Sequence, residues 1–222
     1  MFGNNPILPL EKGTGHRLKV TSIFHTIQGE GPYAGHPAIF VRLAGCNLAC
    51  SFCDTEFDDF NELSIDSILK TVKRLSLAIN KNDLIVLTGG EPFRQPIKLL
   101  CEKLLALNFK VQIETNGLLY REIPKEIKVV CSPKNNEHGY RPIKPDLLKH
   151  VIAIKFLISA NNHLYNDIAE IGQTKFNIPI YLQPMDEHDA ELNIKNTDLT
   201  LKLTKKYNAI LSLQLHKILK ID

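Results

Sequence analysis

Three thiols within eight positions are the residues of this chain best suited to chemistry: Cys46, Cys50 and Cys53, spaced C-x3-C-x2-C. A loop that short can wrap thiolates around a compact inorganic core, and thiolate sulfur is the usual protein ligand of iron in such clusters. A 4Fe-4S cube held by three cysteines keeps one iron open for a reacting group. A structural zinc site is the competing reading; it wants four ligands and would have to recruit His25, His36, Cys101 or Cys131. Five cysteines is an odd number, and the short separations suit a metal better than a disulfide framework. That usage fits a reducing compartment. Cys101, among Leu100, Leu104 and Leu105 on a predicted helix, and Cys131, at a strand end, read as core. A second feature, Gly89-Gly90-Glu91-Pro92, reads by itself as a strand-to-helix turn.

These residues need a scaffold. Short Val- and Ile-rich runs at 38–43, 83–87, 110–114, 127–131, 151–157, 178–183 and 209–215 read as strands. A helix follows Ser64 as N-cap, with Ile65, Ile68, Leu69, Val72 and Leu75 at three- and four-residue steps, and another is predicted over 96–107. Strands with little alternation have both faces covered, as in a parallel sheet with helical crossovers. An α/β fold follows, open or curled toward a barrel. Its chemistry should collect at the carboxyl ends of the strands. The polar loops 45–55, 88–92, 115–117, 132–134 and 183–186 each follow a strand, so one rim is expected to carry them all. The stretch 135–149, with Pro142 and Pro145, reads as a solvent loop that orders on binding.

At 222 residues, 44% hydrophobic and 23% charged, the chain can bury one good core, and a single domain over 1–222 is expected. Lys and Arg, 27 against 24 acidic residues, are scattered, which gives nucleic-acid binding no electrostatic support. Residues 1–10 lack a basic leader followed by an apolar stretch, and nowhere do eighteen apolar residues run together. A cytoplasmic protein without a membrane span is the expectation.

With Phe52 just before the last cysteine, the trio resembles the signature of the radical S-adenosylmethionine (SAM) superfamily, and Gly-Gly-Glu-Pro resembles that superfamily's second motif. Thr26-Ile27-Gln28-Gly29-Glu30-Gly31, Gly35, Pro37, Phe40-Val41-Arg42-Leu43-Ala44-Gly45-Cys46-Asn47 and Cys53-Asp54-Thr55 narrow the likeness to the 7-carboxy-7-deazaguanine synthase family. Further matches are Ile113-Glu114-Thr115-Asn116-Gly117, Cys131-Ser132-Pro133-Lys134, Leu182-Gln183-Pro184-Met185-Asp186 and Leu213-Gln214-Leu215-His216-Lys217.

The resemblance implies a partial, open (β/α) TIM-like barrel with mostly parallel strands. It implies a 4Fe-4S cluster on Cys46, Cys50 and Cys53 whose open iron is chelated by SAM, which on reduction yields a 5′-deoxyadenosyl radical. It implies a lyase that contracts the ring of 6-carboxy-5,6,7,8-tetrahydropterin to 7-carboxy-7-deazaguanine with loss of ammonia, on the route to queuosine and other deazapurines. Carried over residue by residue, it assigns SAM contacts to Phe52, Cys53, Asp54, Gly90, Glu91, Ser132, Pro133, Lys134, Gln183, Pro184, Met185 and Asp186. It assigns substrate contacts to Ile27, Gln28, Gly29, Arg42, Thr88 and Asp222, with Glu30 and His216 as neighbours, and a magnesium ion to Thr55. The C-terminal tail 209–222 is expected to close the site. Lys220 and Asp222 depart from the family's usual ending, and the added carboxylate of Asp222 is unexpected beside a substrate carboxylate. A flavodoxin-like electron donor and a homodimer are also implied. Two alternatives remain open from the residues: an activase of glycyl-radical enzymes acting on a protein partner, and a non-catalytic iron–sulfur or zinc module.

Overall fold

The computed structural model describes residues 5–57, 59–77 and 83–221. The chain packs as two compact units, Met1–Ile27 with His36–Thr115 and Leu119–Lys128, and Gln28–Gly35 with Asn116–Leu118 and Val129–Asp222.

The first unit holds β1 (Arg17–Ile27), β2 (Pro37–Leu43), β3 (Asn61–Ser64), α1 (Ile65–Leu77), β4 (Leu84–Gly89), α2 (Lys98–Ala106) and β5 (Lys110–Thr115). Its strands lie in the order β3-β1-β2-β4-β5. β2, β4 and β5 run parallel, with Ala38 beside Leu84 and Leu84 beside Lys110. Ile39, Val41, Ile85, Val86 and Leu87 are fully buried, as expected for strands covered on both faces. α1 starts as the pattern predicts: Ser64 Oγ accepts from Ser67 N at 3.2 Å, and Ile65, Ile68, Leu69 and Val72 are buried. α2 buries Leu100, Cys101 and Leu104.

β1 and β3 are absent from the predicted strands. β1 is antiparallel to both β2 and β3. Its sequence interleaves Lys, Thr, Ser and His with apolar residues and is mostly half-buried, so no apolar run marks it.

The second unit holds most of β6 (Lys128–Cys131), then α3 (Pro145–Leu148), β7 (Val151–Ile158), α4 (Gln173–Phe176), β8 (Ile180–Pro184), α5 (Ala190–Tyr207), β9 (Ile210–Leu211) and α6 (Leu215–Leu219). Its strands are parallel in the order β6-β7-β8-β9. α5 starts at Asp189, whose carboxylate accepts from Leu192 N at 3.0 Å, and ends at Asn208 in the left-handed conformation. Two expectations are corrected here. The run 209–215 is strand only at Ile210–Leu211 before turning into α6. The stretch 135–149 is no solvent loop throughout: Ile143, Leu147 and Leu148 are buried, because Pro145 starts a helical turn that carries the two leucines into the core.

Both units are α/β with mostly parallel strands, and in each the polar loops leave the carboxyl edge. No helix among the described residues is long and apolar enough to cross a membrane.

Candidate active site

In the first unit β2 ends at Leu43, and the chain leaves its carboxyl edge through Ala44 and Gly45 into Cys46. Gly90 N donates to Leu43 O and Glu91 N to Gly45 O, both at 3.0 Å. A Cβ at Gly90 would stand 1.9 Å from Gly45 O, and one at Gly89 2.1 Å from Leu43 O. The glycine pair is therefore demanded by the approach of two backbones, beyond the needs of a turn. The wholly buried Glu91 accepts through Oε1 from Phe93 N at 3.0 Å and from Thr115 Oγ1 at 2.8 Å.

Cys46, Cys50 and Cys53 are half-buried and joined in no disulfide, and Cys53 N donates to Cys50 O at 3.1 Å, closing the C-x2-C turn. Burial pushes the Cys46 thiol up to about 11; a backbone hydrogen bond at Leu48 opposes this, and negative charge at Glu91, Cys50 and Cys53 adds to it. A Cys46 thiolate in this setting thus calls for a compensating cation, which an iron–sulfur core supplies. Among the described residues no three His, Cys, Asp or Glu side chains converge on a point as one ion would require. The donor set itself, three thiols within one short loop, suits a cube with one iron for each sulfur. Cys101 and Cys131 are fully buried core residues, as expected.

Arg42, in β2, passes over the ring of Phe24 at 5.3 Å, and its Nη1 donates to Thr55 Oγ1 at 3.2 Å. The Thr55 hydroxyl donates in turn to Asp54 Oδ1 at 3.3 Å. Thr88 lies beside Arg42 in the parallel register of β4. Phe52 is half-buried and Asp54 exposed. Ile27 ends β1 opposite Pro37.

The second unit gathers a separate polar cluster. Gln28 is buried, and its Oε1 accepts from Glu30 N at 3.2 Å. Gly29 is covered by His216: a Cβ there would stand 2.4 Å from His216 Nδ1, and Leu215 N donates to Gly29 O at 3.1 Å. Glu30 forms an ion pair with the buried Lys155 and accepts from Gln214 Nε2 at 2.8 Å. Burial alone would raise the Glu30 carboxyl, but the Lys155 ammonium and the Gln214 amide hold it well below the usual carboxylate range. Ser212 Oγ accepts from Gly31 N and donates to Gln183 Oε1, each at 3.1 Å. Met185 is fixed through its backbone, N to Ile158 O at 2.8 Å and O from Asn196 Nδ2 at 2.9 Å. Asp186 accepts from Lys217 Nζ at 2.9 Å, His188 N at 3.0 Å and Asn193 Nδ2 at 2.8 Å. Burial works against ionisation there, yet these partners keep the carboxyl far below its ordinary range. Lys134 Nζ folds back on Ser132, donating at 2.8 Å to both its carbonyl and its hydroxyl, with Pro133 buried between them. Pro184 closes β8.

The structure thus brings Cys46, Cys50, Cys53, Gly90, Glu91, Arg42, Thr55 and Thr88 to the carboxyl edge of one unit. It groups Gln28, Gly29 and Glu30 with the tail residues 212–216 in the other. Asp222 lies outside the described residues. Lys155, Ser212, Gln214 and Lys217 escaped the sequence reading as site residues. Lys155 had a signal, a lone charge in the apolar run of β7, which must be paired if it is to be buried.

Comparison with known proteins adds three findings. The Radical SAM superfamily model matches residues 41–130. The chain is 55% identical to the 7-carboxy-7-deazaguanine synthase of Rickettsia prowazekii (strain Madrid E), over 100% of this chain and 96% of that one, and 35% identical to that of Rhodospirillum rubrum over the full length of both. Its fold matches the crystal structure of QueE from Escherichia coli with a TM-score of 0.70 at 27% identity, covering 90% of this chain and 95% of that one.

Proposed function

This chain belongs to the 7-carboxy-7-deazaguanine synthase family of the radical SAM superfamily, and from that premise we propose how its own residues serve the reaction. The enzyme is a radical SAM lyase that converts 6-carboxy-5,6,7,8-tetrahydropterin to 7-carboxy-7-deazaguanine. The full-length identity of 55% carries this reading. It favours the small-molecule reaction over a glycyl-radical activase or a structural metal module.

The bound 4Fe-4S cluster and SAM supply a carbon-centred radical that takes hydrogen from the substrate. Cys46, Cys50 and Cys53 hold the cluster. The SAM contacts are Phe52, Cys53, Asp54, Gly90, Glu91, Ser132, Pro133, Lys134, Gln183, Pro184, Met185 and Asp186. The zipped backbone of Leu43–Gly45 with Gly90–Glu91 supports a preformed cofactor ledge in the first unit. Substrate is bound by Ile27, Gln28, Gly29, Arg42 and Thr88, with Asp222 at the terminus. The Arg42 guanidinium suits the substrate carboxylate, and the Gln28 carboxamide with the Gly29 backbone suits a pterin edge. Thr55 Oγ is a hard oxygen ligand suited to magnesium. The tail 209–222 covers Gly29 and Glu30, a role supported by the contacts of Gln214, Leu215 and His216. A flavodoxin-like electron donor, a homodimer and a cytoplasmic setting complete the proposal.

The test is anaerobic reconstitution with iron and sulfide, then incubation with SAM, reductant, magnesium and the tetrahydropterin. The deazaguanine is expected. Deoxyadenosine formed without it would remove the substrate assignment and leave the superfamily standing.

A further inference from the structure

The N-terminal residues from Asn5 onward run along the cluster loop and tie down both of its ends. Ile7 bridges to Cys46, and Leu8 N donates to Cys46 O at 2.8 Å, fixing the loop's start. Asn5 fixes its end. Its Oδ1 accepts from Phe57 N at 3.1 Å, while its Nδ2 donates to Thr55 O at 2.7 Å and to Cys53 Sγ at 3.6 Å.

The three contacts determine the orientation of the carboxamide. A backbone N–H can only donate, so the atom facing Phe57 N is the oxygen; a backbone carbonyl can only accept, so the atom facing Thr55 O is the nitrogen. The remaining N–H then points at Cys53 Sγ. Asn5 is only 7% exposed, so water competes little for that hydrogen bond.

We infer that Asn5 is a positioning residue of the cluster loop, its carboxamide donating an N–H···S hydrogen bond to Cys53 that sets the reduction potential of the cluster. The inference rests on the cluster being held by Cys46, Cys50 and Cys53. A cluster gains negative charge on its sulfurs when it is reduced, so a donor aimed at one of them stabilises the reduced form more than the oxidised form. Removing the donor lowers the potential and makes the electron needed for turnover harder to deliver.

Two variants separate the electrostatic effect from the mechanical one. Asn5→Leu keeps the shape, stays neutral and loses all three contacts, so it reads the loss of the donor without added charge. Asn5→Asp keeps the acceptor for Phe57 N, loses the N–H to both Thr55 O and Cys53 and adds a carboxylate, so its fall should be the larger. Each is reconstituted anaerobically beside the wild type, assayed for iron and sulfide per chain, and titrated potentiometrically with the cluster followed by its electron paramagnetic resonance signal. Both variants are expected to retain a full cluster. At a fixed potential near the wild-type midpoint, their ratio of reduced to oxidised cluster is expected to fall about threefold to tenfold, the scale of one ordinary net hydrogen bond. An unchanged ratio with a full cluster would overturn the inference. So would loss of the cluster from both variants, which would make Asn5 a mechanical bracket only. A wild type that assembled no four-iron cluster would instead defeat the cluster reading on which the inference stands.

Discussion

Arg42 Nη1 donates to Thr55 Oγ1 at 3.2 Å, linking a strand residue in β2 to the residue two places beyond the last cysteine of the loop. The guanidinium is steadied by the ring of Phe24, so Thr55 is presented by a partner that is itself held. Replacing Arg42 with Lys keeps the charge and loses the fork. We expect KM for the pterin to rise about 10- to 100-fold, corresponding to about 1.4–2.8 kcal/mol, with cluster content unchanged. Steady-state kinetics on reconstituted protein measures both; an unchanged KM would remove Arg42 from the substrate site.

Thr55 supplies the hydroxyl proposed for magnesium. Thr55→Ala is expected to slow turnover and flatten its dependence on magnesium concentration, while Thr55→Ser, which keeps the oxygen, retains the dependence. A magnesium titration of all three proteins decides it. Full dependence in the Ala variant would exclude Thr55 as ligand.

Gly90 has no room for a side chain, since a Cβ would meet Gly45 O at 1.9 Å. Gly90→Ala must separate the two backbones that form the ledge beneath the cysteine loop. The expected result is lower iron per chain and a lower melting temperature. Retention of both would mean that the ledge yields at little cost.

Two cysteines give a matched contrast. Cys50→Ala removes a thiol proposed to hold the cluster and should abolish cluster assembly, deoxyadenosine and product together. Cys101 is wholly buried on α2, and Cys101→Ala should keep the cluster and cost about 1–2 kcal/mol of stability through a small cavity. Iron analysis and thermal melts report the two effects separately.

The Glu30–Lys155 pair sets an acid limit. The Glu30 carboxyl is lowered from its ordinary 4.5 in the folded state, so its contribution to stability is complete above about pH 4.5 and is lost as pH falls below it through the folded value. Denaturant titrations across pH 6 to 3 should show this fall. Glu30→Gln should flatten it while destabilising the protein by about 3–5 kcal/mol at neutral pH, because Lys155 is left buried with its charge uncompensated. A Glu30→Gln, Lys155→Met double variant should recover much of that loss.

Most of the parallel strands were legible in the sequence, because strands such as Leu84–Gly89 are buried on both faces and so read as unbroken apolar runs. β1 was not, because it is half-buried and antiparallel and mixes Lys, Thr and His into its pattern. The cysteine loop and the glycine pair were legible because their chemistry is local, within eight and four positions. The Glu30–Lys155 pair was not: its members are 125 residues apart in sequence, and only the fold brings the lone lysine of β7 to the acid after Gly29. Asn5 escaped for the same reason, since nothing in its neighbours names Cys53 as its partner.

The stoichiometry of turnover decides whether the enzyme carries out the ring contraction. Reconstituted enzyme is supplied with reductant, magnesium, excess 6-carboxytetrahydropterin and a limiting, measured amount of SAM, and 7-carboxy-7-deazaguanine and 5′-deoxyadenosine are quantified together. Deazaguanine far in excess of the SAM consumed is predicted, because the hydrogen taken from the substrate would be given back by 5′-deoxyadenosine to the rearranged substrate radical, so that SAM is regenerated rather than spent. Deoxyadenosine accumulating one for one with SAM consumed, with no deazaguanine, would contradict the account.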